Sequence, residues 1–398
     1  MAERGTGDHV PAAAGLNWPL AVLLFAVTTI LQIVVPLSRI ETTYRVIDAP
    51  NAEVLAGLLS AAFAILPVMF FRRIGVLGDA YGERPMLLVG ALLAGIAVLL
   101  LMMRWDNLIE LFAANAALGL GQMILLSALQ LAIVRCARPE EHDRFLGYFL
   151  VAISTGMALA PLILSYLSPP DVSGPATSLD LPLLVCAALL LAGSALLVLV
   201  LPRPGPRGSA VEVPYGTLLR VPGMLMLIVC SGVCLAVNDS FLVFFPLLAN
   251  GRGVDAGTVG LLLSMRAIGA IVSRFLFARI IKRVGKREVM AFTMLATGAS
   301  VAALVFDLPI PLVAILLVLG GFGLGLAIAC SLSLTLSQAP VAVRARAASL
   351  RLSVARLAQF VFPLAVGGGA SIFGAASVFA LMGVVLAAGG AWTKRSRL

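Results

Sequence analysis

Charge is what this sequence has least of. Of 398 residues, 12% are Asp, Glu, Lys or Arg and 61% are apolar. Soluble domains carry about 25% charged residues. A chain with so little to present to water, and with a mean hydropathy of +1.07, is not a soluble enzyme, a disordered segment or a secreted disulfide scaffold. It fits a polytopic membrane protein. Histidine is scarcer still: His9 and His142 both fall outside the apolar runs. That excludes a histidine proton relay or a histidine-ligated metal inside the membrane. The five cysteines, at 136, 186, 230, 234 and 330, show no zinc-like spacing with histidine. Cys230 and Cys234 share a helix face and read as small apolar packing residues. The phosphate-binding pattern G-x4-G-K-[ST] is missing, which argues against ATP-driven transport by this chain alone. No cofactor and no metal are expected.

What the sequence does have is long apolar runs. A bilayer-crossing helix needs about 20 mostly apolar residues. Twelve segments qualify: 17–38, 53–72, 85–103, 108–134, 145–168, 180–201, 219–249, 256–281, 288–306, 309–337, 347–371 and 373–393. The first is too long for a signal peptide and lacks a small-x-small cleavage site before Arg39, so it reads as an uncleaved span. The largest break is the Pro-, Gly- and Arg-rich stretch at 202–218. It divides the chain into a short tail (1–16), a first six-helix bundle (17–201), the linker, a second bundle (219–393) and a final tail (394–398).

Basic residues are not clustered as a nucleic-acid surface would require. They sit between the spans and set orientation, because Lys and Arg are retained on the cytoplasmic side. With the N-terminus inside, 22 of 28 fall on the cytoplasmic side, including Arg274 and Arg351 at helix ends. Arg39, Arg45, Arg104 and Arg252 fall outside. Both termini are therefore expected in the cytoplasm, as an even number of spans requires. The 25 Arg against 3 Lys suggest a GC-rich bacterial genome, hence the bacterial inner membrane.

The halves repeat. Gly119-Leu-Gly121, Arg144 and Pro161 recur as Gly321-Phe-Gly323, Arg346 and Pro363 at an offset of 202; Gly82 and Arg84 meet Gly285 and Arg287 at an offset of 203. Tandem six-helix halves pack about a pseudo-two-fold axis along the membrane normal, with the substrate site between them near mid-membrane.

Between spans two and three stands Gly75-Val-Leu-Gly-Asp79-Ala-Tyr-Gly82-Glu-Arg84. Its G-x3-D-x2-G-x-R spacing resembles the loop signature of the major facilitator superfamily. With twelve spans, a central break and tandem halves, the resemblance covers nearly the whole chain. It implies an all-α fold of two six-helix bundles and a conformational latch at Gly75, Asp79, Gly82 and Arg84. The second copy (Ala278, Lys282, Gly285, Arg287) has Lys where the acid would be. Span five, Gly147-x8-Gly156-x3-Ala160-Pro161, is similar to the family's antiporter signature with two glycines replaced. That implies export by antiport, while generic close packing explains the same residues. The family's span-four Arg is missing; that face carries Gln122 and Gln130.

Ionisable groups inside spans are costly and tend to be functional. Among the acids, Asp239 in span seven lies well inside an apolar run. Arg266 in span eight and Arg356 in span eleven sit about ten residues from a helix end. Asp239 paired with Arg266 or Arg356 is either a permanent ion pair or a proton-coupling device in which proton and substrate compete for one electrostatic slot. Two deep arginines attract an anion, since the guanidinium fork fits a carboxylate or phosphate. Gln32, Gln122, Asn238 and Gln359 supply neutral hydrogen bonds, to cargo or between helices. Phe241, Phe244 and Phe245 read first as a lipid-facing stripe, then as a cavity lining.

The leading expectation is a secondary transporter, monomeric, embedded in the lipid bilayer, whose partners are a small-molecule substrate and protons. It exports an amphipathic or anionic compound. An importer of an organic anion is the alternative, and a lipid flippase a special case. A membrane enzyme lacks a nucleophile–base set, and a sensor lacks a signalling domain.

Overall fold

The computed structural model describes residues 18–103, 107–137, 141–167, 179–201, 220–339 and 344–396. Among them are twelve α-helices and no strand. They are α1 Trp18–Arg45, α2 Ala52–Tyr81, α3 Glu83–Met102, α4 Leu108–Cys136, α5 His142–Leu167 and α6 Asp180–Val200, then α7 Met224–Asn250, α8 Ala256–Val284, α9 Lys286–Ala303, α10 Ile310–Gln338, α11 Arg344–Phe373 and α12 Ala375–Arg395. Eleven are long and apolar enough to cross a membrane. The exception is α9, whose 18 residues open on Lys286-Arg287-Glu288. The linker 202–218, both tails apart from 394–396, and His9 lie outside the described residues.

The first two helices run well past their expected ends, α2 from 72 to Tyr81 and α1 from 38 to Arg45. Counting apolar residues ends α1 at Ser38; the structure carries it unbroken through Arg39 to Arg45. Nothing between Leu37 and Arg45 stops a helix, and the chain turns over 46–51, where Asn51 takes φ 58°. The extra length is tied down at its end. Arg45 pairs with Glu41 one turn back (3.2 Å) and donates to the Leu101 carbonyl at the end of α3. Arg39 and Glu41 are thus buried in a bundle, not in an outer loop.

The helices pack as two bundles, α1–α6 and α7–α12. They meet mainly through α2 against α11 and α5 against α8, with a smaller contact of α1 on α7. Under the repeat these two pairs exchange with each other, so the interface is pseudo-symmetric. Inside each half the glycines of the repeat do one job. A methyl at Gly119 would overlap the Phe63 carbonyl, and one at Gly321 would overlap the Arg266 carbonyl. Each lets α4 or α10 touch the backbone of α2 or α8. The second repeated motif also recurs physically. Gly82 (φ 85°) and Gly285 (φ 91°) sit in left-handed backbone that favours glycine. The arginine two residues on then caps a distant helix: Arg84 donates to Leu201 at the end of α6, and Arg287 to Thr393 and Lys394 (3.2 and 2.7 Å) at the end of α12. Cationic groups at helix C-termini satisfy orphan carbonyls and oppose the helix dipole.

The odd-numbered helices rise from the face that carries Trp18 and Arg395; we call this the terminal face and its opposite the far face. On the far face the bundles are closed. A Cβ at Gly57 of α2 would lie 2.6 Å from the Pro363 carbonyl of α11 and 3.2 Å from the Gly367 Cα. Across the molecule Gly260 of α8 abuts the Pro161 carbonyl, and Ser264 donates to Ala158 of α5 at 3.1 Å.

One far-face connection is held by a cap. Asp255 precedes α8 and accepts from the Thr258 N–H and hydroxyl, both at 2.7 Å. These bonds hold its carboxyl below the usual carboxylate range, the backbone one most of all. A lowered folded pKa means stability present at neutral pH and lost as pH falls through that pKa. Asp255→Ala is expected to cost about 1 kcal/mol at neutral pH, and melting in detergent should show the gap from wild type closing as the solution is acidified below the carboxylate range.

Candidate functional site

Between the bundles lies a cavity of about 820 Å³, large enough for a drug-sized molecule. Its wall is mostly apolar, with Leu126, Ile153, Met157, Leu242 and Leu263 among the lining. Into it project five arginines (Arg39, Arg266, Arg274, Arg351 and Arg356) and one acid, Asp239. Lining residues from the lower halves of α4, α5, α10 and α11 (Gln130, Phe149, Leu332, Leu352) carry it toward the terminal face. Arg39, Phe63 and Asp239 stand where the far-face closure begins.

The polar groups form one network centred on Asp239. The sequence leaves Asp239 to pair with Arg266 or Arg356, and the structure corrects this. Its direct ionic partner is Arg39 of α1, at 3.7 Å, so the ion pair joins the two bundles. Arg266 and Arg356 reach it each through one amide. Arg266 donates to the Asn238 side-chain oxygen (3.1 Å) and backbone oxygen (3.3 Å), and the Asn238 amide donates to Asp239 at 3.3 Å. Arg356 donates to Gln359 (3.1 Å), whose amide donates to the Asp239 carboxylate at 2.7 Å. Asn238 and Gln359 are relays: each oxygen faces a guanidinium and each NH2 faces the carboxylate. Gln32 and Gln122 both line the cavity and bond to each other at 3.1 Å, apart from the network.

The guanidiniums are also stacked. Arg39 lies over the Phe63 ring with its carbon 4.7 Å from the centroid, and Arg266 over Phe241 at 4.8 Å. Stacking holds a cation in a greasy wall while leaving its N–H edge free. The Nε of each has no hydrogen-bond partner, and Arg39 donates to Ser60 at 2.8 Å through another nitrogen. Phe241, Phe244 and Phe245 are buried, with Phe241 and Phe245 edge-on to Phe379 of α12; they are not a lipid stripe and do not line the cavity.

Other expectations fare unevenly. The deep charges do not all come from the second half, since Arg39 joins them. Arg351, counted as a helix-end cation, is 5% exposed in the cavity wall. Within the span-five motif, Gly156 lies against α1 (a Cβ there would be 2.5 Å from the Thr29 carbonyl), and Pro161 meets Gly260. Gly147 faces open space, so close packing does not explain it. In the loop motif, Gly82 and Arg84 act as described above; the backbone at Gly75 and Asp79 is the last turns of α2, and their side chains lie outside the described residues. Sequence reading missed Arg39, Arg351, Ser60 and Phe63. The signal for Arg39 was the absence of any helix stop before Pro50. Among the described residues no cluster of three potential metal ligands occurs.

Removing Arg39 strands a partly buried carboxylate. Arg39→Gln is expected to destabilise by about 1–3 kcal/mol, and adding Asp239→Asn to it should cost less than the two single changes summed, as a double-mutant cycle on detergent melts would read.

The sequence profile of the Major Facilitator Superfamily matches residues 18–255 and 224–397. No curated protein sequence matches the chain. Among solved structures, the nucleoside transporter NupG aligns with TM-score 0.75 at 16% identity, covering 94% of this chain and 99% of that one. A bacterial homologue of the human lysosomal transporter Spinster, inward-facing and occupied, aligns with TM-score 0.72 at 14% identity over 96% and 98%. A POT family transporter in complex with a thioalcohol-conjugated peptide aligns with TM-score 0.76 at 15% identity over 94% of each. Identities this low show a shared fold and leave the cargo open. The chain is a transporter, not an enzyme, and it belongs to the Major Facilitator Superfamily.

Proposed function

We infer that the protein is a secondary active transporter of a small amphipathic anion, working by alternating access in a bacterial inner membrane with both termini cytoplasmic. One observation carries this reading: among the described residues, five arginines and a single acid share one cavity with otherwise mostly apolar walls. Fixed cations in a low-dielectric cleft attract an anion, and the guanidinium fork favours carboxylate or phosphate. The apolar wall suits a hydrophobic body behind that head.

Asp239 then serves as the tethered anion of the empty carrier. It neutralises Arg39 directly and touches Arg266 and Arg356 through the two amides. Cargo entering with its own carboxylate replaces Asp239 on the arginines. Displacing Asp239 from Arg39 breaks the one ionic link across the bundles among the described residues and so favours opening of the far face. Once cargo has left, Asp239 takes a proton from the far side, returns with it and releases it on the terminal side as Arg39 pairs again. Proton and cargo thus occupy the carrier in turn and cross in opposite directions. The span-five residues resembling an antiporter motif favour export.

The test uses everted membrane vesicles and a panel of aryl and medium-chain carboxylates beside their neutral amides and cationic amine counterparts. Carboxylates alone should accumulate, and only with an acid vesicle interior. Asp239→Asn should abolish dependence on the proton gradient by at least about tenfold in rate while anion–anion exchange persists. Accumulation of amides or amines equal to the carboxylates overturns the anion reading; uptake by right-side-out vesicles instead reverses the direction to import; wild-type transport indifferent to the gradient removes the proton role.

A further inference from the structure

Below the Asp239 network the cavity holds two more cations that the network does not use. Arg351 of α11 is 5% exposed, its Nε has no hydrogen-bond partner, and it lines the cavity. Arg274 of α8 lines the same cavity and makes only a long bond, 3.4 Å, to the Leu150 carbonyl of α5. Among the described residues of its wall Asp239 is the only acid, so none lies at this level. Burying a guanidinium with no counter-charge is expensive, so a ligand group or water must meet Arg351 when the site is working.

The height of this second tier follows from helix geometry. Arg351 precedes Arg356 by five residues, about 7.5 Å along α11 at 1.5 Å per residue. On α8, Arg274 follows Arg266 by eight residues, about 12 Å toward the terminal face. Two helices thus place the lower pair some 8–12 Å beneath the upper cluster. Between the tiers the wall is apolar, with Leu235, Ile153 and Met157 lining it.

We propose that Arg351, with Arg274, forms a second anion subsite, and that the cargo is a dianion whose two acidic ends are separated by an apolar body spanning the tiers. This rests on the anion reading above and narrows it from one anionic head to two. The upper cluster, whose charge Asp239 partly cancels in the empty carrier, takes one end in exchange for Asp239. The lower tier, with nothing to displace, takes the other.

The experiment measures binding to the purified full-length chain by calorimetry. The probes are straight-chain α,ω-dicarboxylates from succinate to dodecanedioate and monocarboxylates of equal length. Wild type should bind one intermediate-length dicarboxylate about tenfold tighter than its monocarboxylate, with shorter and longer diacids losing the advantage. Arg351→Gln should bring that ratio to about one by weakening diacid binding more than monocarboxylate binding, and Arg351→Lys should keep part of it. Arg274→Gln, with melting in detergent checked against wild type, should lower the ratio independently. The proposal is overturned if wild type shows no length-dependent preference for diacids, or if neither glutamine variant changes the ratio. Binding of monocarboxylates with no diacid preference sinks this inference alone. Binding of neither series sinks the anion reading as well.

Discussion

Everything at the centre of this protein turns on one electrostatic problem: several guanidiniums held in a largely apolar cleft with a single carboxylate to answer them. Each buried ion costs several kcal/mol even after relaxation and water entry. The structure offsets that cost in three ways. Arg39 pairs directly with Asp239. Arg266 and Arg356 share the same carboxylate through the amides of Asn238 and Gln359. Arg39 and Arg266 lie on aromatic faces that accept a cation without accepting water. Because the direct partner comes from α1 and the carboxylate from α7, the contact that balances charge in the cavity also ties one bundle to the other.

Around that contact the helices supply rigidity where the bundles touch and room where they do not. Glycines at 57 and 260 bring backbones together on the far face, and both lie in the pairs α2–α11 and α5–α8 that the repeat exchanges. Arg84 and Arg287 cap the final helix of each bundle on the terminal face. On the same terms, Arg45 and Arg252 cap the third helix of each bundle on the far face, Arg252 donating to Leu304 and Val305 at 2.9 and 3.0 Å. Each half is therefore braced within itself, and the motion that alternating access needs is left to the interface between halves.

Much of this was legible in the sequence. Twelve helices and the duplication follow from apolar run lengths and from glycines at fixed offsets, signals that depend on many residues at once. The deep placement of Asp239, Arg266 and Arg356 was legible too. Arg39 and Arg351 were not, because hydropathy counting ends a span where charge begins, and both residues sit at such an edge. A charge inside a bundle and a charge in a loop look alike in one dimension; what separates them is whether another helix brings a partner. For the same reason the pairing of Asp239 was out of reach: its partner lies 200 residues away in the other half. The phenylalanines of α7 misled because a helix packed on all sides and a helix facing lipid have the same composition.

The two stacked arginines carry a consequence for how such a duplication is recognised. Arg39 corresponds to Phe241 at the offset of 202, and Phe63 to Arg266 at 203. The correspondence is physical as well as numerical, since Gly119 abuts the Phe63 carbonyl as Gly321 abuts that of Arg266. In one half the first helix gives the cation and the second the ring; in the other half the roles are reversed. Compared column by column, the halves show two mismatches here, each a charge against an aromatic. Compared by contact, they show one cation–ring pair with its members transposed. A search for internal symmetry that scores residue identity would discard both positions, although the halves share the stack.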